Sequence, residues 1–88
     1  MSVLMRTHGV GSTEEHYRGV IGPVTDVLRA ANGFVAHYAF MEGDGLTISE
    51  IWNSRAEFEA YFNEHIVPML PEGAPAPEFF EIMNTITP

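Results

Sequence analysis

Cysteine and lysine are both missing from this 88-residue chain. Without cysteine there is no disulfide scaffold and no thiolate metal site, which fits a reducing compartment. Without lysine, the only basic side chains are Arg6, Arg18, Arg29 and Arg55, set against twelve acids for a net charge of −8. Counterion release at phosphates needs a basic patch, and four scattered arginines do not make one, so neither nucleic acid nor an anionic membrane is an expected partner. No window approaches the roughly 18 apolar residues of a membrane span. The N-terminal MSVLMRTHG lacks the basic and apolar regions of a signal peptide, so a cytoplasmic protein is expected. The histidines at 8, 16, 37 and 65 show no H-x-H, H-x-x-x-H or H-E-x-x-H spacing, and no metal site is expected. No G-x-G-x-x-G or P-loop occurs, and GVGST has neither the length nor the lysine for one. No cofactor is expected, and no serine or threonine stands in a nucleophile context.

What is present is enough apolar material, 45% of the chain, for one packed domain over residues 1–88. A chain this short buries only about 60% of the surface it exposes when unfolded, so it needs an efficient core or a partner. SVLMRTH (2–8) is a β-branched and apolar run that ends at the Gly9–Gly11 turn, and it is expected to be a strand. Ser12 opens a capping box with Glu15. Behind it Tyr17, Val20/Ile21, Val24, Val27/Leu28 and Ala31 recur at helical spacing. Gly22-Pro23 is expected to kink or divide that helix, because proline removes a hydrogen bond and clashes with the preceding turn. Asn32-Gly33 stops it.

FVAHYAFM (34–41) and LTISEIWN (46–53) flank EGDG, a strong hairpin signal. Ser54 and Glu57 form a second capping box. Phe58, Tyr61/Phe62, His65/Ile66 and Met69/Leu70 mark the apolar stripe of a second helix, whose regular part is expected to end at Pro68. PEGAPAP (71–77) is a loop, and FFEIMNTI (79–86) reads as a last strand. The order is β-α-β-β-α-β, the ferredoxin-like α+β arrangement of four antiparallel strands with both helices on one face.

If Met41 pairs with Leu46, one face of the hairpin carries Met41/Leu46, Ala39/Ile48, His37/Glu50 and Val35/Trp52. The other carries Phe40/Thr47, Tyr38/Ser49, Ala36/Ile51 and Phe34/Asn53. A different turn length shifts every side chain to the opposite face. Neither face has the clean alternation of a solvated sheet, so a homodimer through the sheet faces is expected.

GFVAHYAF, the hairpin and SEIWNSRAEFEAYF together resemble the antibiotic-biosynthesis-monooxygenase-like group of dimeric α+β barrel proteins. The likeness lies in a glycine-led strand at Gly33, the acidic-x-Trp strand end at Glu50 and Trp52, and the Ser-x-x-x-Phe helix start at Ser54 and Phe58. It covers nearly the whole chain in element order and residues 34–62 in motif. It implies a dimeric α+β barrel with a pocket between sheet and helices in each subunit. Members include cofactor-free oxygenases of aromatic polyketides, haem-degrading enzymes, cyclases and isomerases. The haem-degrading branch uses a first-strand asparagine, plus a tryptophan and a well-separated histidine on the second helix. This chain has Arg6-Thr7-His8 and Tyr61-Phe62, and His65 follows too soon. Haem degradation is therefore disfavoured, and simple haem binding rests on His65 alone.

The leading candidates for chemistry are His37 and Glu50. A carboxylate opposite an imidazole fixes its tautomer, as a general base requires; the same pair would also serve as a brace within the core. Trp52, on the same face, is either a pocket wall or core packing that seeks a partner for its indole N–H. His65 and Phe62 should face the sheet, although a histidine near a helix end is often half exposed. Arg6 would neutralise a substrate anion or pair with Glu81. Tyr17 begins the apolar stripe of the first helix and is placed at a pocket, with Tyr38 as a further wall; Asn84 is either a donor to a substrate carbonyl or the mark of a bulge or dimer contact. Under the resemblance, the base would deprotonate a small aromatic substrate whose anion reacts with dioxygen. The alternatives are a cyclase or isomerase using the same base, and a non-catalytic dimeric ligand-binding module.

Overall fold

The computed structural model describes residues 1–88. Its elements are β1 (Val3–Val10), α1 (Glu14–Ala30), β2 (Phe34–Glu42), β3 (Gly45–Trp52), α2 (Arg55–Tyr61) and β4 (Glu78–Glu81). A π-helical turn (Phe62–Ile66) and a 3-10 turn (Val67–Met69) prolong α2. The four strands form one antiparallel sheet in the order β2-β3-β1-β4. Strands β1 and β2 therefore run parallel with β3 between them, which is the split βαβ of the expected ferredoxin-like fold. No helix is long and apolar enough to cross a membrane.

Both helices pack on one face. Val24 and Leu28 of α1 and Phe58 and Tyr61 of α2 close over Met5 of β1 and Trp52 of β3. The single tryptophan is wholly buried at the centre. Its ring meets Phe34 and Phe58 edge-on at 5.5 and 5.6 Å and Tyr61 at 5.3 Å, the offset geometries that aromatic quadrupoles favour.

Helix α1 begins one residue later than the Ser12 box implies. Thr13 is the cap and accepts from the His16 backbone N–H, while Glu14 and Glu15 place negative charge in the first turn. Gly22-Pro23 does not divide it. Pro23 and Gly19, whose carbonyl loses its helical donor, are both exposed, so water replaces the missing bond on the solvent side. Helix α2 does begin as expected, with Ser54 accepting from Glu57 N–H. Its regular part ends at Tyr61, before Pro68. Val67 N–H reaches back to Phe62, one residue further than an α-helix bonds, and the widened turn delivers Pro68 into the 3-10 segment.

The hairpin closes through Gly43-Asp44, with Glu42 paired to Gly45. Gly43 has φ +60° and Asp44 is not in the left-handed region, the pattern of a type II′ turn. The expected register holds from Met41/Leu46 through His37/Glu50 to Ala36/Ile51. A bulge then intervenes, so that Phe34 rather than Val35 opposes Trp52 and Val35 turns outward, 54% exposed. The expected Val35/Trp52 and Phe34/Asn53 pairs are absent.

Strand β1 runs on through Gly9 to Val10 rather than stopping at His8. Strand β4 stops at Glu81 rather than continuing to Ile86. It ends where its partner does: Glu81 pairs with Val3, the first residue of β1, and beyond that pair Ile82 N–H bonds to the Ser2 carbonyl.

Candidate active site

Between the sheet and the helices lies a cavity of about 270 Å³. Tyr17 and Ile21 of α1, His37 and Ile48 of the hairpin, and Tyr61 and Phe62 contribute to its wall. The segment from Met69 to Pro75 closes one side. The wall is mainly apolar; Thr7, His16 and Tyr61 contribute polar groups to it, and Tyr17, His37 and Glu50 are joined in one chain of hydrogen bonds.

That chain starts in the core. Trp52 Nε1–H, which can only donate, gives its proton to Glu50 Oε1 at 3.0 Å. Glu50 is 5% exposed, and as a carboxylate it accepts again at Oε2, from His37 Nδ1–H at 2.6 Å. This sets the tautomer: with its proton on Nδ1, His37 presents a lone pair at Nε2. Tyr17 O–H donates to that lone pair at 2.7 Å. Every member of the series Trp52–Glu50–His37–Tyr17 is thereby satisfied, as groups in a low-dielectric interior must be.

The buried carboxylate also acts on the two tyrosines. Burial, reinforced by the Glu50 charge and opposed by Arg18, raises the pKa of Tyr17. Tyr61 is raised strongly, again by burial first and Glu50 second. Both phenols are held neutral, since a phenolate there would be desolvated beside a like charge.

The sequence-predicted residues divide in two. His37, Glu50, Tyr17 and Phe62 meet at the cavity, Phe62 stacked on Phe58 at 5.0 Å. Trp52 does not reach the cavity; it lies beneath it and holds Glu50. Tyr38 alternates with His37 and stands on the opposite face, 58% exposed. Arg6 is on that outer face too, paired with Glu42 and, at 3.7 Å, with Glu78 rather than Glu81. His65 is exposed on the far side of α2, against Tyr61 and near Glu64, and borders a shallow groove between α1 and α2. It cannot serve as a haem ligand in the cavity. Asn84 lies exposed beyond the end of β4 and donates nothing to the site.

The outer face carries a second polar cluster. Thr47 O–H donates to Glu42 at 2.6 Å, while His8 contacts Thr47 at 2.7 Å and Asp44 at 2.6 Å. The Thr47 hydrogen bond, with Arg6 and His8 nearby, lowers the Glu42 pKa. The bond from His8 does the same for Asp44.

Sequence reasoning missed Tyr61 as a polar member of the cavity wall, because helical spacing marks it only as part of an apolar stripe. It also missed the Tyr17–His37 contact. No local spacing encodes that contact, since it depends on where α1 comes to rest on the sheet.

No family model and no curated protein matches the chain. Solved structures do. The heme-degrading protein Rv3592 of Mycobacterium tuberculosis superposes with a TM-score of 0.73 at 15% identity, covering 99% of this chain and 100% of the other. A monooxygenase from the gene ActVA-Orf6 of Streptomyces coelicolor, in complex with the ligand nanaomycin D, gives 0.66 at 20% identity over 99% and 91%. SnoaB of Streptomyces nogalater, a cofactor-independent oxygenase, gives 0.61 at 16% over 97% and 94%. The chain thus has the fold of the antibiotic-biosynthesis-monooxygenase-like proteins that its motifs resemble. At these identities the likeness is one of architecture, and it spans both oxygenases and a heme-degrading protein. The residues of the cavity must separate them.

Proposed function

We propose that the chain is a cofactor-independent, monooxygenase-like enzyme that acts on a small aromatic, polyketide-type substrate by histidine-assisted proton abstraction. The observation that carries this is His37, held in one tautomer by Glu50 in the wall of an open apolar cavity. A brace within a filled core would have no such space beside it. The cavity volume, about 270 Å³, lies just below the roughly 300–1,000 Å³ usual for small-molecule sites and so calls for a small substrate.

In this scheme the proton lost by the phenol or enol form of the substrate comes to rest on the His37 base, and the imidazolium that forms is stabilised by the Glu50 carboxylate. The substrate anion is electron-rich enough to reduce dioxygen. For an anthrone-like methylene the balance is CH2 + O2 giving C=O + H2O: both C–H bonds break, one oxygen atom becomes the carbonyl and the other leaves as water. The substrate supplies all four electrons. Apolar walls exclude water from the anion. The donor to a developing oxyanion is the neutral Tyr61 hydroxyl, in place of the Arg6 and Asn84 expected from sequence, which lie elsewhere. Without the oxygen step, the same base would serve a cyclase or isomerase.

The active unit in this proposal is a homodimer, since the outer sheet face exposes Tyr38, Phe40 and Phe80, each about half accessible. A monodisperse monomer by light scattering would remove that part. The chemistry is tested by dioxygen uptake with an anthrone-like phenol. His37→Ala should lower the rate by roughly 10²–10⁴-fold, the usual contribution of a general base, with the circular dichroism spectrum unchanged. Equal uptake by the variant removes His37 from the mechanism, and substrate turnover without uptake points to the cyclase or isomerase.

A further inference from the structure

Histidine acts as a base along its lone pair, and that direction is already taken. Nε2 has one lone pair, in the ring plane, and the Tyr17 oxygen sits on it at 2.7 Å. Nδ1 faces Glu50 on the other side. No substrate proton reaches His37 directly while these contacts stand. Tyr17, however, shares the cavity wall with His37. Having given its one proton to Nε2, its oxygen keeps two lone pairs and can only accept.

The geometry points to the Tyr17 hydroxyl oxygen as the atom that meets the substrate, taking an O–H proton from it while passing its own proton to His37 Nε2. The substrate O–H bond breaks and a new O–H forms on Tyr17. The old Tyr17 O–H breaks and an N–H forms at Nε2. The outcome is a substrate oxyanion, an unchanged neutral tyrosine and an imidazolium against Glu50. Tyr17 enters and leaves the step neutral, in keeping with the burial and nearby carboxylate that disfavour its phenolate.

An accept-only oxygen selects among substrates. An aromatic alcohol or an enol offers it a donor. A methyl ether of the same shape offers none, and a C–H bond has no hydrogen bond along which to transfer. The substrate class is therefore one that binds through a phenolic or enolic O–H. This inference rests on the reading of the cavity as the site of a proton-abstracting enzyme.

The test is equilibrium binding of 2-naphthol and 2-methoxynaphthalene, followed by probe fluorescence, to the wild-type chain, His37→Ala and the double variant Tyr17→Phe/His37→Ala. The wild-type chain should prefer the naphthol by roughly tenfold, the usual yield of one hydrogen bond to a buried acceptor. Tyr17→Phe deletes a single oxygen and leaves the ring packed, but it bares the Nε2 lone pair as a substitute acceptor, so the double variant Tyr17→Phe/His37→Ala is the one that should lose the preference. His37→Ala alone should lose it as well, because the released Tyr17 O–H is free to donate to the ether oxygen. A preference retained in the double variant overturns the proposal, as does a wild-type chain that binds neither probe or both equally, or a complex in which the naphthol oxygen meets His37 Nε2 rather than the Tyr17 oxygen. The structure of the wild-type complex with 2-naphthol decides even if the His37→Ala variants fail to fold. Dioxygen uptake by the same wild-type protein is a separate readout: an intact preference without uptake sinks the oxygenase scheme and leaves the Tyr17 contact standing.

Discussion

Glu50→Gln should reverse the polarity of the entire hydrogen-bonded chain. The carboxylate accepts on both oxygens, from Trp52 and from His37. A glutamine accepts on one side and donates on the other. Trp52 Nε1–H can only donate, so the amide oxygen must face it, and the amide N–H₂ then faces His37 Nδ1. Nδ1 has to give up its proton, which moves to Nε2. Nε2–H in turn donates to the Tyr17 oxygen, and the Tyr17 O–H is released into the cavity. No buried group is left unpaired, so the loss of stability is only that of two charge-assisted bonds becoming neutral, about 2 kcal/mol in all, or roughly 8–16 °C in Tm for a domain of this size. Glu50→Leu, by contrast, strands both donors at about 2 kcal/mol each. It should therefore cost roughly 4 kcal/mol, a large part of what such a chain holds. For proton abstraction the lost carboxylate matters more. A unit pair near 4 Å at an effective dielectric of about 20 is worth ~4 kcal/mol. With His37 still partly accessible, a loss of ~3 kcal/mol is expected, or about 10²-fold in rate. The decisive assay is ¹⁵N–¹H correlation NMR of the His37 imidazole, which reports the tautomer independently of turnover. The wild-type chain should show Nδ1–H and Glu50→Gln should show Nε2–H. The same tautomer in both proteins refutes the reasoning, as does a Glu50→Gln variant no more stable than Glu50→Leu.

Two further outcomes can be read from stability alone. With no lysine or cysteine in the chain, tyrosines dominate its alkaline titration. Tyr17 and Tyr61 have folded-state pKa values above that of the unfolded chain, so the folded state holds more protons above pH ~10. Their contribution to stability is complete below pH ~10 and declines as the pH rises beyond it, so the urea midpoint should fall from pH 9 to pH 11. Tyr61→Phe should flatten that fall, and an unchanged slope would contradict the assignment. Gly45→Ala should be among the costliest single-methyl additions. The new Cβ would overlap the Gly9 carbonyl oxygen, which is backbone within the β1–β3 ladder. A loss of roughly 2–4 kcal/mol is expected, and a thermal melt within about 2 °C of wild type would show that the strands part at no cost.

What could be read from the sequence was whatever depends on near neighbours. The EGDG turn and strict alternation sufficed to place Glu50 opposite His37, since only a few hydrogen-bonded pairs separate them from the turn. The same alternation already set Tyr38 on the opposite face, and its assignment to the substrate went against that parity. Asn84 failed for a different reason: its segment is apolar enough for a strand, but it lies beyond the Val3–Glu81 pair at which the β1–β4 ladder ends. The Tyr17–His37 contact, which defines the polar wall of the cavity, was out of reach because it joins a helix to a strand through the rotation of α1 about its axis. That rotation is set by how Val24 and Leu28 seat against the sheet, a matter of side-chain volume rather than spacing. Pro23 misled in the opposite direction, since its local penalty is real but falls where solvent absorbs it.

The bulge at Val35 gives the hairpin two ends with different tolerances. Between the Gly43-Asp44 turn and Ala36 the ladder is uninterrupted, so the turn works as the zero mark of a ruler on which His37 and Glu50 are gradations. Past Ala36 the ruler is broken, and a length error arriving from α1 and Gly33 is absorbed by one unpaired residue before it reaches the imidazole. Homologous chains of this architecture should therefore vary in length at the helix-to-strand junction without loss of the dyad. A single residue added at the turn would separate histidine from carboxylate at once.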